Sequence, residues 1–233
     1  MSIKLRSALL FLFLGLALAA CGPSEPDQRK AFIAFLQTEV LPRPGARVPN
    51  PNAEKQKTFG DYAGHYAVIT RFHERMNASV ATPMQQAMSN GVPRSIAEVV
   101  TRKADIAAVR AGFGRMRTAL DEALAATEAE RAALKQPDDL RAVYASVYDQ
   151  LVTQPVGVFR EIFPPTDDAF GAILAMAELV EGNRQAIKLN GSQIEVTNPA
   201  LRARVQAALE AMSSKQRAMT EAQQKMRRVL YGN

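Results

Sequence analysis

One thiol, two imidazoles and two pairs of adjacent carboxylates are the side chains of this chain whose type and spacing could carry chemistry. They are Cys21, His65 and His73, Asp138-Asp139 and Asp167-Asp168. The thiol is the most readily activated nucleophile among them, because its thiolate forms near neutral pH. With one Cys in the sequence, no disulfide can form within the chain. "HERMN" at His73 starts like a zinc-binding helix but carries Asn77 where a second His would stand. On a common helix, His65 and His73 would lie about 80° around and about 12 Å along from one another, too far apart to share an ion. Zinc needs three or four converging ligands, so no metal and no cofactor is expected, and both histidines are assigned to the surface or to half-buried positions. The Asp pairs could divide acid–base work or hold a divalent cation. Each also follows a proline, and acids at a helix start offset its exposed N–H groups and dipole. Capping is therefore the simpler role. There is no G-x-S-x-G and no phosphate-binding glycine loop. No catalytic residue is assigned, and the protein is expected not to be an enzyme.

The setting of Cys21 says more. "LFLGLALAACGPSEPDQRKAFIAFLQ" places it where an apolar run meets a polar segment. Lys4 and Arg6 precede an unbroken apolar or Gly run from Ala8 to Ala20. That run is shorter than the roughly 20 helical residues needed to cross a hydrocarbon core. A basic start, a short apolar stretch and a small-residue end form an export signal. Leu18-Ala19-Ala20-Cys21 resembles the bacterial lipobox, which is cut just before the Cys. The resemblance implies a diacylglycerol on the Cys21 sulfur and a palmitoyl-type chain on its new amino group. An ordinary secreted protein with a stray Cys and an uncleaved anchor are the alternatives. Gly22 follows the Cys. In Gram-negative lipoproteins an Asp there commonly marks retention at the inner membrane, so its absence points to the inner leaflet of the outer membrane, facing the periplasm.

The expected organisation is thus a signal peptide over 1–20, a lipid-anchored tether over 21–26, and one domain over 27–233. Removing Lys4 and Arg6 leaves 27 basic against 23 acidic side chains, a mild excess. Those charges are interspersed and serve solubility, with weak attraction to anionic headgroups as the alternative. Export argues against nucleic acid as a partner. The expected partners are the bilayer, through acylated Cys21, and a protein of the envelope.

The elements expected to position these residues are helices. Trp is absent, aromatics make up 6%, and Ala, Leu, Met, Gln, Glu and Arg are plentiful, which favours helix. Asp27 is expected to cap a helix over 28–40, with Phe32, Ile33, Phe35 and Leu36 on its apolar face. "LPRPGARVPNPN" must be a loop. Asn52 should open a helix over 53–79 with Phe59, Tyr62, Tyr66, Ile69 and Met76 inward, and Pro83 should end or kink it. Ser95-Ile-Ala-Glu98 reads as a capping box for a short helix that leads into a longer one over 104–135, which Gly112 and Gly114 weaken or open to a close neighbour. Further helices are expected over 138–153 and 166–183. "AIKLNGSQIEV" alternates about Asn190-Gly191, the pattern of a hairpin with a type I′ turn. Asn198-Pro199 should open a last helix to about 230, with Leu201, Val205, Ala208, Met212, Met219, Ala222, Met226 and Val229 in one stripe. That stripe is either core or a partner-binding groove, since Met suits adaptable surfaces. The expected fold is mainly α: an elongated antiparallel bundle of five to seven helices with one small β-hairpin.

"DQRKAFIAFLQ" (Asp27 to Gln37), "ALKQPDDL" (Ala133 to Leu140) and the Asn190-Gly191 turn resemble the YiaF-like lipoproteins, a proteobacterial family of unknown function. The resemblance spans most of the mature chain and implies a lipoprotein with this helical fold. It carries no activity, cofactor or catalytic residue. The leading expectation is a non-enzymatic, lipid-anchored envelope protein that binds or scaffolds a periplasmic partner, with a carrier of a small apolar ligand between the helices as the alternative. A scaffold should expose an apolar patch of several hundred Å². A carrier of a small apolar ligand should instead enclose an apolar cavity lined by Met and Phe.

Overall fold

A computed structural model describes residues 23–89, 91, 93–190 and 193–232. Cys21 and Gly191 lie outside them. Seven continuous helical rods and one hairpin make up the described chain. Helix α1 (Glu25–Phe35, continued by a π turn over Leu36–Val40) starts three residues earlier than expected. Ser24 holds the N-cap position, and Pro26 falls in the first turn, where its missing N–H is no loss. Asp27 therefore lies inside the helix and accepts from Ser24 Oγ at 2.5 Å.

Asn52 caps α2 (Ala53–Phe59) as expected, its Oδ1 accepting from Lys55 N at 2.9 Å. The helix does not run on to 79. Gly60 takes φ +52° and ψ −130° and breaks it, a conformation open to Gly because it lacks a Cβ. The chain then re-enters a helix as α3 (Tyr62–Met76, a π turn over Asn77–Ala81, then Thr82–Met88). Ser95 caps the short α4 (Ile96–Thr101), its Oγ accepting from Glu98 N at 3.2 Å. Glu98 in return accepts from Arg94 N at 2.9 Å. Helix α5 (Lys103–Ala132) passes Gly112 and Gly114 without a break. No backbone approaches either glycine, so neither serves a close helix crossing.

Two helices were expected here, over 138–153 and 166–183, with Pro155 and Pro164-Pro165 between them. They lie instead within one rod, α6 (Asp138–Tyr148, a π turn over Asp149–Thr153, then Gln154–Glu181). Asp138 and Asp139 occupy its first turn, as expected of capping acids. Asp167 and Asp168 do not start a helix. They sit mid-rod, where Asp167 pairs with Arg110 of α5 at 2.8 Å and Asp168 pairs with Lys215 of the last helix at 2.6 Å.

All three π turns end two residues before a proline: Val40 before Pro42, Ala81 before Pro83, Thr153 before Pro155. The residue just ahead of each proline donates five residues back, as Leu41 N does to Leu36 O at 2.9 Å. A proline in an α-helix collides with the carbonyl four residues earlier and has no N–H for it. The wider π turn moves that carbonyl aside, so two of the three helices continue.

Strands β1 (Ile187–Asn190) and β2 (Gln193–Val196) pair antiparallel, with Asn190 opposite Gln193. This register corrects the expected turn. Asn190 closes the strand without positive φ, and its side chain donates to Glu195 Oε1 at 2.7 Å. The two connecting positions are therefore 191 and 192, not 190 and 191. Helix α7 (Pro199–Tyr231) begins as expected at Asn198, whose Oδ1 accepts from Ala200 N and Leu201 N.

Ion pairs record how the rods lie. Arg71 and Arg75 of α3 meet Glu130 of α5. Arg110 and Lys103 of α5 meet Asp167 and Glu181 of α6. Lys215 and Lys225 of α7 meet Asp168 and Glu161 of α6. The α5–α6 and α6–α7 pairs are therefore antiparallel, whereas α3 and α6 run parallel, His65 O meeting Tyr144 and His73 meeting Leu151 O. Surface pairs of this kind add little stability individually, so packing holds the bundle. The large core gathers Phe32, Phe35, Phe59, Tyr66, Phe72, Leu120 and Tyr144 near the start of α1 and α6. A second joins Met176, Val180, Ile187, Leu201 and Val205 beside the hairpin, and a third joins Val99, Ile106 and Ala177. Rod α6 runs about 65 Å from one end to the other at 1.5 Å per residue, so the bundle is elongated. Among the described residues no helix is long and apolar enough to cross a membrane.

The proline-rich loop is stitched in place. Its first half turns and its second half is extended. Tyr66 Oη donates to Pro49 O at 2.7 Å, Gln150 Nε2 donates to Arg43 O at 2.8 Å, and Ala46 N donates to Leu230 O at 3.1 Å. Gly45 has φ +73°, and a Cβ there would lie 2.4 Å from Leu230 O. The loop thus clamps the end of α7 onto the bundle.

Candidate functional site

Between the large core and the hairpin-side cores lies an apolar cleft of about 710 Å³, within the range of small-ligand sites. Four rods wall it. Helix α5 supplies Ile106, Val109, Phe113 and Met116 at helical spacing. Helix α6 supplies Ile162, Ala169, Phe170 and Ile173. Helix α3 supplies Pro83, Met84 and Ala87, and α7 supplies Met219 and Met226. The space exists because small residues face it: Gly112, Ala108 and Ala119 on α5, Ala169 on α6 and Ala87 on α3. Gly112 and Gly114, expected to weaken α5 or admit a neighbour, do neither, and Gly112 instead contributes absent volume. The α7 stripe divides accordingly. Leu201 and Val205 are buried core, whereas Met219 and Met226 are half-buried along the cleft.

The polar groups at the cleft are few. Thr166 lines it at 4% exposure. Arg102 is engaged by Glu98 at 2.9 Å, while Asp105 and Arg115 stand at the rim. Among the described residues that line it, no nucleophile, base and oxyanion donor converge, as an acyl-transfer site would require. A second hollow, lined by Arg43, Gly45, Gln150 and Arg228, is open and mixed in polarity, and it belongs to the loop clamp.

The histidines serve the fold. His65 is half-buried, its ring edge-on to Tyr62 and Tyr144 and its Nδ1 3.3 Å from Gln136 Nε2. His73 reaches across to α6, its Nε2 2.7 Å from Leu151 O. Leu151 is four residues before Pro155, so its carbonyl is one that an α-helix would have bonded to the missing proline N–H. His73 supplies that hydrogen. Among the described residues no three His, Cys, Asp or Glu side chains converge on a metal position.

Burial lowers the pKa of both His65 and His73, and for His73 it outweighs the opposing Leu151 hydrogen bond. An unfolded His titrates near 6.5, so below that value the unfolded chain takes up more protons than the folded one. Stability should therefore fall as pH drops through about 6.5, by up to about 1.4 kcal/mol per pH unit for each His. The paired carboxylates Glu130 and Asp167, lowered by their arginines, lose their contribution only in the more acidic carboxylate range. His73→Leu should cost about 1–3 kcal/mol at pH 8 by orphaning the Leu151 carbonyl, and should flatten the pH 5–7 slope. Urea unfolding at several pH values measures both effects, and an unchanged slope in His73→Leu would count against this assignment.

Sequence comparison adds kinship. "Uncharacterized protein YiaF" of Escherichia coli K12 is 26% identical over 192 residues, covering 81% of each chain, and YiaF of Shigella flexneri matches to the same extent. No solved structure matches. The model of the family described as "Protein of unknown function (DUF3053)" aligns with residues 8–227, nearly the whole sequence, and this chain belongs to that family.

Proposed function

We propose that this chain is a lipid-anchored, non-enzymatic protein of the bacterial cell envelope whose helical bundle binds a small apolar ligand in the cleft between α3, α5, α6 and α7. One observation carries the binding half of the proposal: a space of about 710 Å³ walled by Met, Phe and Ile side chains of four rods. Well-packed cores leave few voids larger than a water molecule. A scaffold would instead show an exposed apolar patch. Among the described residues the large hydrophobic side chains left exposed are Leu209 and Tyr231, 22 positions apart on α7 or about 33 Å at the helical rise, and those two form no patch. The anchoring half rests on the lipobox resemblance at Cys21. The bundle then faces the periplasm from the outer membrane, with the inner membrane as the alternative site. Any envelope protein partner would hand over or accept the ligand.

Trp is absent from the sequence, so one introduced Trp is a clean reporter. In the full chain on phosphatidylcholine vesicles, Met219→Trp should be quenched by micromolar dibromostearyl alcohol. Arg217→Trp, on the exposed side of α7, should not be. Equal quenching at both positions, or none at 219 and none in a second reporter, Met226→Trp, overturns the ligand-binding proposal.

A further inference from the structure

We infer that the natural occupant of the cleft is a single-chain fatty acid, its carboxylate at Arg115 and its chain along Phe113 and Ile106. This inference rests on the ligand-binding proposal above and adds the chemistry of the head group.

Charge around the cleft selects the head. Arg102 is committed to Glu98 and to Gly91 O. Arg110 is committed to Asp167 through two bonds, at 2.8 and 2.9 Å. Arg115 also lines the cleft, with Nη2 3.6 Å from where a Cβ on Gly112 would stand. It makes no ion pair or hydrogen bond among the described residues. Its guanidinium thus lies folded over the one residue of α5 that presents no side chain to the cleft. The ion pairs Arg110–Asp167 and Arg160–Asp121 bracket it, so Arg115 lies level with the 160–167 stretch of α6, which includes Thr166. A planar guanidinium suits a carboxylate through two parallel hydrogen bonds, and the Thr166 hydroxyl can add another.

One free guanidinium matches one negative charge, which favours a carboxylate over a doubly charged phosphate. The opposite rim fixes polarity. Asp105 also lines the cleft and lies ten residues, about 15 Å, from Arg115 along α5. A carboxylate at that end would meet a like charge. The apolar wall between the two, Ile106, Val109 and Phe113, is where the chain lies. Asp105 is the acid that lines the cleft among the described residues, and Arg110 neutralises Asp167.

The Met219→Trp reporter tests this with two probes of matched chain, 9,10-dibromostearic acid and 9,10-dibromostearyl alcohol, on the full chain in phosphatidylcholine vesicles at pH 8. Arg115→Gln should raise the quenching midpoint for the acid by about threefold to tenfold, the span expected for a partly solvated charged hydrogen bond. It should leave the alcohol midpoint unchanged, and Arg115→Lys should recover part of the loss. Comparing variants against the same probe cancels the unequal partition of acid and alcohol into the vesicles. If both probes quench and Arg115→Gln shifts neither, the head-group inference is wrong while the apolar cleft stands. If neither probe quenches the Met219→Trp reporter or the Met226→Trp reporter, both proposals fall together.

Discussion

Deleting Thr153 should destabilise the bundle by about 3 kcal/mol, and combining the deletion with Pro155→Ala should restore most of the loss. Thr153 is exposed and closes the π turn of α6, so little packing is lost with it. A π turn is an α-helix with one residue inserted. Taking the residue out returns the rod to α register, and both sides keep their facing. Leu140, Tyr144 and Val147 before the turn, and Val156, Ile162 and Phe163 after it, would still point into the core. The proline then has no accommodating turn. Its ring meets the carbonyl four residues earlier, which after the deletion is that of Gln150, and that carbonyl is left without a proline N–H. Replacing the proline by Ala supplies an N–H and removes the ring. Urea unfolding of the wild type, the deletion and the combined variant decides the matter. A deletion without cost, or one that Pro155→Ala does not relieve, would show that the π turn is not there for the proline.

The helix starts at Asn52, Ser95 and Asn198 were legible because a cap is local: a side-chain oxygen serves an N–H two or three residues on. The inward faces of α1, α3 and the first half of α6 were legible for the same kind of reason, since period alone placed Phe32, Tyr66, Ile69, Leu140 and Tyr144 in the core. Prolines misled. Pro164-Pro165 stop a helix when only the local chain is considered, whereas here a long rod with apolar stripes on both sides of the prolines gains more by staying continuous. Pro83, expected to end or kink its helix, follows a π turn in one that continues. Misplacing a helix start at Thr166 in turn made Asp167 and Asp168 look like caps rather than cross-rod ion partners. Gly60 escaped notice because Phe59 and Tyr62 keep an inward alternation across the break. The cleft was half legible. Met219 and Met226 stood in the stripe of the last helix, and a Met- and Phe-lined site was one of two expectations. Its location depends on Ala87, Gly112 and Ala169 coming together from three helices, a non-local coincidence with no sequence period.

Cys21→Ser should abolish membrane attachment through lipid altogether, the largest effect expected of any single change. The side chain that would carry the thioether is gone, so the peptidase that follows lipid transfer has no substrate. The N-terminal peptide should keep residues 1–20 and lack any acyl mass. A single myristoyl-length chain binds a bilayer only marginally, whereas two or more anchor stably, so three acyl chains amount to permanent residence and none to release. Replacing residues 1–20 by a leader that ordinary signal peptidase removes separates export from lipidation: that chain should appear in the soluble periplasmic fraction. The geometry makes the consequence for function specific. Helix α1 begins at Glu25 with Ser24 as its cap, and Glu25 accepts from Tyr62 Oη at the start of α3 while Arg29 meets Asp139 at the start of α6. If the chain is anchored at Cys21 as proposed, its tethered end is the end where α6 begins. The cleft residues Ile162 to Ile173 lie about 36 to 52 Å further along that rod, beyond the reach of chains buried at Cys21. Ligand binding should consequently survive in the released protein, with Met219→Trp quenched by dibromostearic acid as in the anchored form. An unmodified Cys21 in the wild-type N-terminal peptide would refute the anchor, and loss of quenching on release would place the ligand in the membrane rather than in the cleft.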